Sequence, residues 1–234
     1  MNKESDFELY LSISKTEYWI YLFDIKNSKN FYKENFKLEK EQKFIDFNIL
    51  NNFLENNIFK IEKLIGKFIK NISLIIENDK ITSIELGIKK KNYEKTISQK
   101  IIENTLFEIK DLFSKNYPDY KIMHMIINNY LVNKNKHSSF KNHLVGDEFC
   151  LEVIIISIPL KLTFEIENIM QKFHINPNQY LERKYVEKFC KDDVNQLSKS
   201  AHMVQNGFNI NEVKLIPKKL KKEGFFEKFF QLFS

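Results

Sequence analysis

A long run of helical periodicity between Asp46 and Lys70 is the feature that most restricts the fold of this chain. Its apolar residues recur with a period near 3.6 and predict one long amphipathic helix. They are Leu50, Phe53, Leu54, Ile58, Ile61, Leu64, Ile65 and Phe68. Extended segments lie on both sides of this helix, so the sequence predicts an α+β fold.

Three extended runs precede the helix and one follows it. Residues 7–13 alternate apolar and polar side chains, and a second β-rich run, Tyr18–Ile25, follows after a short polar turn. The two predict a hairpin, which a weaker run at Asn30–Leu38 extends to a three-stranded meander. After the helix, Ile72–Ile76 is typical of a short buried strand.

The middle of the chain predicts the order strand, helix, strand, strand. The extended runs are 81–88, 120–132 and 149–158, and the helix covers 98–116. Thr96 and Gln99 have the spacing of a capping box for this helix. The predicted core face of the helix comprises Ile102, Leu106, Ile109 and Phe113. A polar loop, 133–147, separates the last two strands.

Two more helical patterns follow. The first would turn Leu162, Ile166, Ile169, Met170 and Phe173 towards a core, and the second Val194, Leu197, Ala201, Val204 and Phe208. With 234 residues, of which 43% are apolar, the chain is long enough for one large domain or two small ones.

The cysteines and the amino terminus predict a cytoplasmic protein. Cys150 and Cys190 have no CxxC partner, and residues 1–8 are charged rather than apolar. We therefore expect a reducing compartment, no export signal and no transmembrane helix.

The carboxyl-terminal stretch, 214–234, has the composition of an interfacial membrane anchor. Six of its residues are lysines and two are glutamates, which gives a net charge of +4 out of +6 for the chain. Apolar side chains recur on one side of a helix after Gly224, and lysines precede it. The predicted membrane-binding residues are Phe225, Phe226, Phe229, Phe230, Leu232, Phe233, Lys218, Lys219, Lys221 and Lys222. Phenylalanine rings enter the acyl boundary, while each lysine near an anionic surface contributes about 1 kcal/mol.

Two other interpretations of this stretch remain open. A terminal amphipathic helix also packs on its own domain in many proteins, or fits into a groove of a partner protein. Nucleic-acid binding is not predicted, because the first 213 residues are almost neutral and phosphate tracking needs a basic stripe on the folded surface.

Residues 122–153 resemble a signature of FtsA, the bacterial cell-division actin homologue. That family has approximately I-L-H-x-I-P-x-x-Y-x-L-D, followed by N-P-x-G-M-x-G-x-x-L-E-V. The matching residues here are Ile122, His124, Ile126, Tyr130, Asn142, Leu151, Glu152 and Val153. His143 and Val145 stand where the family has Pro and the first Gly. The strand-helix-strand-strand order is that of the family's SHS2 subdomain, called 1C.

The resemblance implies four segments. Residues 1–78 would be an amino-terminal meander and helix of subdomain 1A, and 79–182 the SHS2 subdomain. Residues 183–211 would carry the last 1A helix, and 212–234 the basic linker and amphipathic anchor. The expected fold is a partial actin-like (RNase H-like) 1A fragment with an SHS2 subdomain. Subdomains 2A and 2B of the family have no counterpart in this sequence.

The resemblance also argues against nucleotide chemistry. The nearest match to the first phosphate loop, D-x-G-x-x-x, is 11–16, where Ser12 replaces the metal-linked aspartate and Ser14 the glycine. Only a glycine lets phosphate approach the backbone closely there. We expect no ATP and no other cofactor.

Other constellations predict no catalytic or metal site. His124, His137, His143, His174 and His202 are scattered, and His124, among apolar residues, is expected to be a bonded core histidine. Asp147, Glu148 and Glu152 fit a solvated loop and strand face. No P-loop, GxGxxG or nucleophile elbow occurs.

The predicted function is therefore that of a non-enzymatic, peripheral adaptor of the FtsA type. It would bind anionic lipid at the cytoplasmic face of the inner membrane, at the division septum, and recruit divisome proteins or a neighbouring copy, with FtsZ left open. The alternatives are a soluble adaptor whose carboxyl-terminal helix binds a protein, and an enzyme whose site the sequence does not reveal.

Overall fold

The computed structural model describes residues 7–140, 144–190 and 196–214. These residues form two β-sheets with helices packed on them, an α+β fold as predicted. The strands are β1 (Phe7–Ile13), β2 (Glu17–Asp24), β3 (Lys29–Lys37), β4 (Asn71–Ile76), β5 (Thr82–Thr96), β6 (Tyr120–Val132), β7 (Asn135–His137), β8 (Val145–Pro159) and β9 (Asn176–Glu182). The helices are α1 (Phe47–Ile65), α2 (Gln99–Asn116), α3 (Leu160–Lys172), α4 (Arg183–Glu187) and α5 (Leu197–Gln205).

The first sheet has the order β3-β2-β1-β4-β9. Strands β1, β2 and β3 form the predicted antiparallel meander, whereas β4 and β9 run parallel to β1. This is the strand order of the actin-like (RNase H-like) 1A fragment that the sequence predicted. Central strand β1 is almost continuously buried, as expected for a strand covered on both faces.

Helix α1 covers one part of this sheet and has well-defined ends. The Asp46 carboxylate accepts hydrogen bonds from the backbone N–H groups of Asn48 and Ile49 at its start. At its end, Gly66 adopts a left-handed conformation with φ of 66°. The buried face carries Leu50, Phe53, Leu54, Ile58 and Ile61, five of the residues that the periodicity identified.

The second sheet has the order β5-β8-β6-β7 and is antiparallel throughout. Its elements β5, α2, β6 and β8 follow the predicted strand-helix-strand-strand order, with the short β7 added in the loop. Helix α2 packs through Ile102, Ile109 and Phe113 on a separate core from that of the first sheet. The capping box was wrong: Thr96 is the last residue of β5, and the Ser98 side chain accepts the hydrogen bond from Ile101 N–H instead.

The chain returns to the first sheet after the second. Helix α3 packs on the first core, and β9 then pairs with β4. Strand β9 was not predicted from the sequence. It lies within the predicted segment 79–182 but belongs to the first sheet, whereas the second sheet occupies 82–159. Helix α5 buries Leu197, Ala201 and Val204 as predicted. Phe208 is not in this core: its side chain is 61% exposed and its ring contacts Phe189. None of the helices in the described ranges is long and apolar enough to span a bilayer.

Candidate functional site

The predicted membrane-binding residues, Lys218 to Phe233, lie outside the described part of the chain. The structure does show how the chain reaches them. We call Asn209–Lys214 the tail root and residues 215–234 the tail. The tail root lies where the two sheets meet, and its contacts define the candidate site.

Backbone hydrogen bonds attach the tail root to β6. Ile127 N–H donates to Asn211 O at 2.8 Å, and Val213 N–H donates to Met125 O at 2.8 Å. Glu212 lies between them and forms an antiparallel bridge with Ile126. The tail root is thus a short additional strand at the edge of β6.

The Glu212 side chain attaches the same segment to two further elements. One carboxylate oxygen lies 2.7 Å from His124 Nδ1, and the other accepts the Tyr185 hydroxyl hydrogen at 2.8 Å. His124 belongs to β6 in the second sheet, and Tyr185 to α4, which directly follows β9 of the first sheet. A single carboxylate therefore connects the tail root to the second sheet and to the helix that follows β9 of the first sheet.

The second ring nitrogen of His124 decides which nitrogen carries the hydrogen. Its Nε2 accepts from Glu182 N–H at 2.9 Å, so Nδ1 bears the hydrogen and donates to Glu212. The ring is fully buried and lies 4.4 Å from the Tyr185 ring, centroid to centroid. His124 is the bonded core histidine that the sequence predicted.

Tyr185 and Glu182 complete the cluster. The Tyr185 oxygen accepts a hydrogen bond from Asn209 Nδ2 at 2.9 Å while donating to Glu212. Burial, foremost, and the hydrogen bond to the Glu212 carboxylate raise the pKa of Tyr185 well above its usual range. The Glu182 carboxylate caps α4 by accepting from Tyr185 N–H.

This cluster combines a carboxylate, an imidazole and a phenol, but its geometry is that of a structural clamp. His124 uses both ring nitrogens within the protein, and Tyr185 both donates and accepts. A general base needs a nitrogen or oxygen that can reach a substrate proton. The arrangement instead fixes the tail root against β6 and α4.

Three backbone donors of the β1–β2 turn, which the resemblance aligned with a phosphate loop, form hydrogen bonds within the turn. The N–H of Ser14 donates to Glu17 O, and the N–H groups of Thr16 and Glu17 donate to Ser14 Oγ. A phosphate cradle needs several backbone N–H groups that converge on an anion. Ser12 is buried in β1, where its hydroxyl has no partner among the described residues.

The cation at this turn is also bonded to other side chains. Lys15 Nζ lies 2.6 Å from an Asp79 oxygen and 3.8 Å from a Glu41 oxygen. The hydrogen bond to Lys15 lowers the pKa of Asp79, and the same bond raises the pKa of Lys15. With two carboxylates beside the lysine, the turn presents no net positive charge to a phosphate.

Two cavities lie away from both features, at the amino ends of β1 and β4. One has a volume of about 610 Å³ and a mixed lining, in which apolar residues alternate with polar ones such as Glu8, Lys70, Ser73 and Gln205. The other, of about 600 Å³, lies between α1 and the end of α3. Both include Phe68, whose side chain is largely exposed. Neither cavity contains a residue of the tail root or of the β1–β2 turn.

The histidines that were considered as possible metal ligands lie on different parts of the fold where the structure describes them. Within 7–140, 144–190 and 196–214, no group of three or more His, Cys, Asp or Glu side chains has a metal-binding arrangement. His202 bonds to Glu8 at 2.6 Å in the first sheet, far along the chain from His137 in β7. His143 lies outside the described residues.

Tyr185 and Glu212 were not predicted as site residues, because neither belongs to a periodic pattern. Glu212 was assigned to the basic linker, and Tyr185 to segment 183–211, ahead of the apolar pattern that begins at Val194. The available signal was His124: a histidine within an apolar strand requires polar partners for both ring nitrogens, and these must come from elsewhere in the chain.

Comparisons with known proteins give a distant structural likeness only. No protein-family model matches the sequence, and no curated protein matches it. A PilM–PilN type IV pilus biogenesis complex is similar at 7% identity and a TM-score of 0.48, over 79% of this chain and 49% of that chain. The cytoplasmic domain of EpsL, an inner membrane component of the type II secretion system of Vibrio cholerae, is similar at 7% identity and a TM-score of 0.38, over 80% and 59%.

A third similar structure is a Bacteroides thetaiotaomicron protein with an actin-like ATPase fold and unknown function. It shares 13% identity with a TM-score of 0.36, over 79% of this chain and 55% of that chain. The chain thus spans about half the length of the structures it resembles. At these scores the fold assignment rests on the strand orders of the two sheets, not on the matches.

Proposed function

We propose that this chain is a peripheral membrane adaptor that holds partner proteins at the cytoplasmic face of the inner membrane. The observation that carries the proposal is the tail root. Asn211, Glu212 and Val213 are bonded to β6 of the second sheet and, through Glu212, to α4, immediately before a basic, phenylalanine-rich tail. A fixed exit point of this kind defines which face of the folded body is turned towards the surface that the tail binds.

The tail supplies the membrane affinity in this proposal. Lys218, Lys219, Lys221 and Lys222 precede the phenylalanine residues. At about 1 kcal/mol each near an anionic surface, these four lysines contribute about 4 kcal/mol of salt-sensitive attraction. The phenylalanine rings add apolar burial that salt does not screen.

We further propose that the chain is not an enzyme and binds no nucleotide. The N–H groups of Ser14, Thr16 and Glu17 bond within the β1–β2 turn, and Lys15 bonds to Asp79. Nucleotide binding would require this turn to exchange its internal bonds for bonds to phosphate. Recruitment of proteins needs no such rearrangement.

The proposal is tested by sedimentation of the full chain with anionic and neutral vesicles across a salt series. We expect the full chain to pellet with anionic vesicles, less so as salt rises, and a chain that ends at Glu223 to stay in the supernatant. Phe226→Glu with Phe230→Glu should release the full chain. Phe107→Glu with Phe164→Glu is the matched control, since both side chains are exposed on helices of the folded body.

The outcomes separate the two candidate adaptors. Binding that survives Phe226→Glu with Phe230→Glu would refute the membrane anchor. A full chain that ignores lipid charge and stays in solution would favour the alternative, a soluble adaptor whose carboxyl-terminal helix enters a groove of a partner protein.

The FtsA-type assignment is a finer proposal, supported by the likeness of residues 122–153 to the FtsA signature. It places the chain at the division septum with divisome proteins as partners. A fluorescent fusion of the full chain should form a midcell band in dividing cells, and the Phe226→Glu, Phe230→Glu variant should be diffuse. A uniform membrane distribution of the unaltered fusion would contradict the septal assignment and leave the membrane anchor intact.

A further inference from the structure

Strand β5 is an edge strand of the second sheet. In the sheet order β5-β8-β6-β7 it has β8 on one side, and within the described ranges no strand pairs with its other side. Its pairing with β8 is regular from Thr82 to Lys91. Along these ten residues, every second residue directs its backbone N–H and C=O groups outward, where another strand can pair with them.

We propose that β5 pairs with β5 of a second copy of this chain, antiparallel about a two-fold axis at Gly87. This register places Glu85 opposite Lys89 of the other copy, and by symmetry Lys89 opposite its Glu85. Leu86 then lies opposite Ile88. Directly opposed residues in an antiparallel pair are close enough for their side chains to interact. The centre of the strand is therefore complementary to itself at the Glu85–Lys89 and Leu86–Ile88 pairs, while Ile84 lies opposite Lys90.

The charged residues already lie on one face of the sheet. Lys90, on the other face, bonds to Glu108 of α2, so Glu85 and Lys89 point away from that helix. Glu85 accepts a hydrogen bond from Asn128 at 2.6 Å, and Lys89 lies 2.7 Å from a Glu148 oxygen. Both partners lie on the inner side of β5, Glu148 on β8 and Asn128 on β6, so pairing with a second copy exchanges these exposed bonds for bonds between Glu85 and Lys89 of opposite copies.

Neighbouring registers fit less well. Moving the axis to Leu86 places Glu85 opposite Gly87, which has no charge to match it. Moving the axis to Lys89 places that lysine opposite itself, which is unfavourable. Moving it to Ile88 also forms two symmetric charge pairs, Glu85 with Lys91, but places Leu86 opposite Lys90 and Gly87 opposite Lys89. Among these four registers, only the axis at Gly87 combines two Glu85–Lys89 pairs with the apolar pair of Leu86 and Ile88.

The helix face is compatible with this arrangement. Ile84, Leu86 and Ile88 are only partly buried under α2, and a second β5 would cover more of them. Strands are spaced about 4.8 Å apart, so a helix over β5 and β8 would lie about 10 Å from its two-fold mate, a normal helix-packing distance. Leu112, one turn from Glu108 on α2, is 43% exposed and lies on this side.

Two features limit the pairing to one partner. The strand ends its regular course after Lys91, where Tyr93 and Glu94 adopt left-handed conformations and Asn92 bonds to Lys95 O and Gly146 O. Lysines on an edge strand ordinarily prevent pairing with other strands. Here they exclude unrelated strands, while Glu85 admits another β5. The result is a closed two-fold dimer, not an open chain of copies.

The test is sedimentation velocity of the full chain without lipid, from low micromolar to several hundred micromolar protein. We expect a concentration-dependent dimer. Glu85→Lys and Lys89→Glu should each weaken dimerisation about tenfold or more, because each replaces two attractive cross-strand pairs by two repulsive ones. The double variant Glu85→Lys, Lys89→Glu exchanges the charges and should restore the dimer. Glu103→Lys, the same change on an exposed part of α2, is the control.

Every outcome bears on the proposal. A monomer at all concentrations would overturn it, as would a dimer that neither single change weakens or a double variant that stays as weak as the single ones. Circular dichroism of each variant confirms that the fold is retained. Since these measurements contain no lipid, their result is independent of whether the tail binds membranes.

Discussion

Replacing Glu212 by alanine should destabilise the protein more than any ordinary surface substitution. The side chain is 12% exposed and is the acceptor for both His124 Nδ1–H and the Tyr185 hydroxyl. Without it, a buried ring N–H and a buried O–H lose their acceptor. An unsatisfied buried donor costs about 1–3 kcal/mol, so the two together cost about 2–6 kcal/mol.

Local detachment sets the upper limit of that loss. The tail root forms only two backbone hydrogen bonds with β6, so it can separate from the body if the clamp fails. In that case the free energy of unfolding falls by less, and Ile127 N–H, which donates to Asn211 O, loses its acceptor. Hydrogen exchange at Ile127 then accelerates in place of a larger change in unfolding.

Urea unfolding measures the loss of global stability, and hydrogen exchange at Ile127 measures the local detachment of the tail root. Glu212→Gln is the matched comparison, because its amide oxygen still accepts from His124 and only the Tyr185 hydroxyl loses its acceptor. We expect it to cost about half as much as Glu212→Ala. If Glu212→Ala changed neither the unfolding free energy by more than about 0.5 kcal/mol nor the exchange rate of Ile127, the clamp would have no energetic significance.

Three further predictions concern the first sheet and its helix. Burial raises the pKa of Tyr18 to about 12, above the unfolded pKa near 10. Its contribution to stability is therefore complete below pH 10 and is lost at about 1.4 kcal/mol per pH unit as pH rises towards 12. Urea titrations from pH 9 to 12 would measure this loss. A flat profile there would contradict this. Asp46→Ala should cost about 1 kcal/mol and Asp46→Ser little, measured by urea midpoint, since serine still caps α1. Gly66→Ala should cost about 1 kcal/mol from backbone strain alone, because a Cβ there meets no atom within 4 Å; a higher melting temperature would refute that.

Elements with a clear period could be predicted from the sequence. The buried face of α1 was predicted because its apolar residues have one regular spacing. The β1 to β3 meander was predicted because each of its strands pairs with its neighbour in sequence. Strand β9 was not, because its exposed first half, Asn176–Gln179, interrupts the apolar pattern. Only its pairing with β4, about a hundred residues earlier in the chain, makes it a strand.

The candidate site was less predictable than the fold, because its residues also come together only through contacts between distant parts of the chain. His124 was identified as a core histidine from its apolar neighbours, but its partners Glu182 and Glu212 are distant in sequence and lie among polar residues. The capping error at α2 has a local cause. Thr96 and Ser98 both suit a helix start, and the pairing of Thr96 with Val145 in the sheet decides between them.

The tail root also determines how mechanical load enters the molecule. A pull on the chain beyond Lys214 acts first on the Ile127–Asn211 and Val213–Met125 hydrogen bonds, and through Glu212 on His124 and Tyr185. Because His124 belongs to the second sheet and Tyr185 to α4, which follows β9 of the first sheet, tension at a single point is shared between them. The body would therefore resist force as one unit, with neither sheet drawn away from the other.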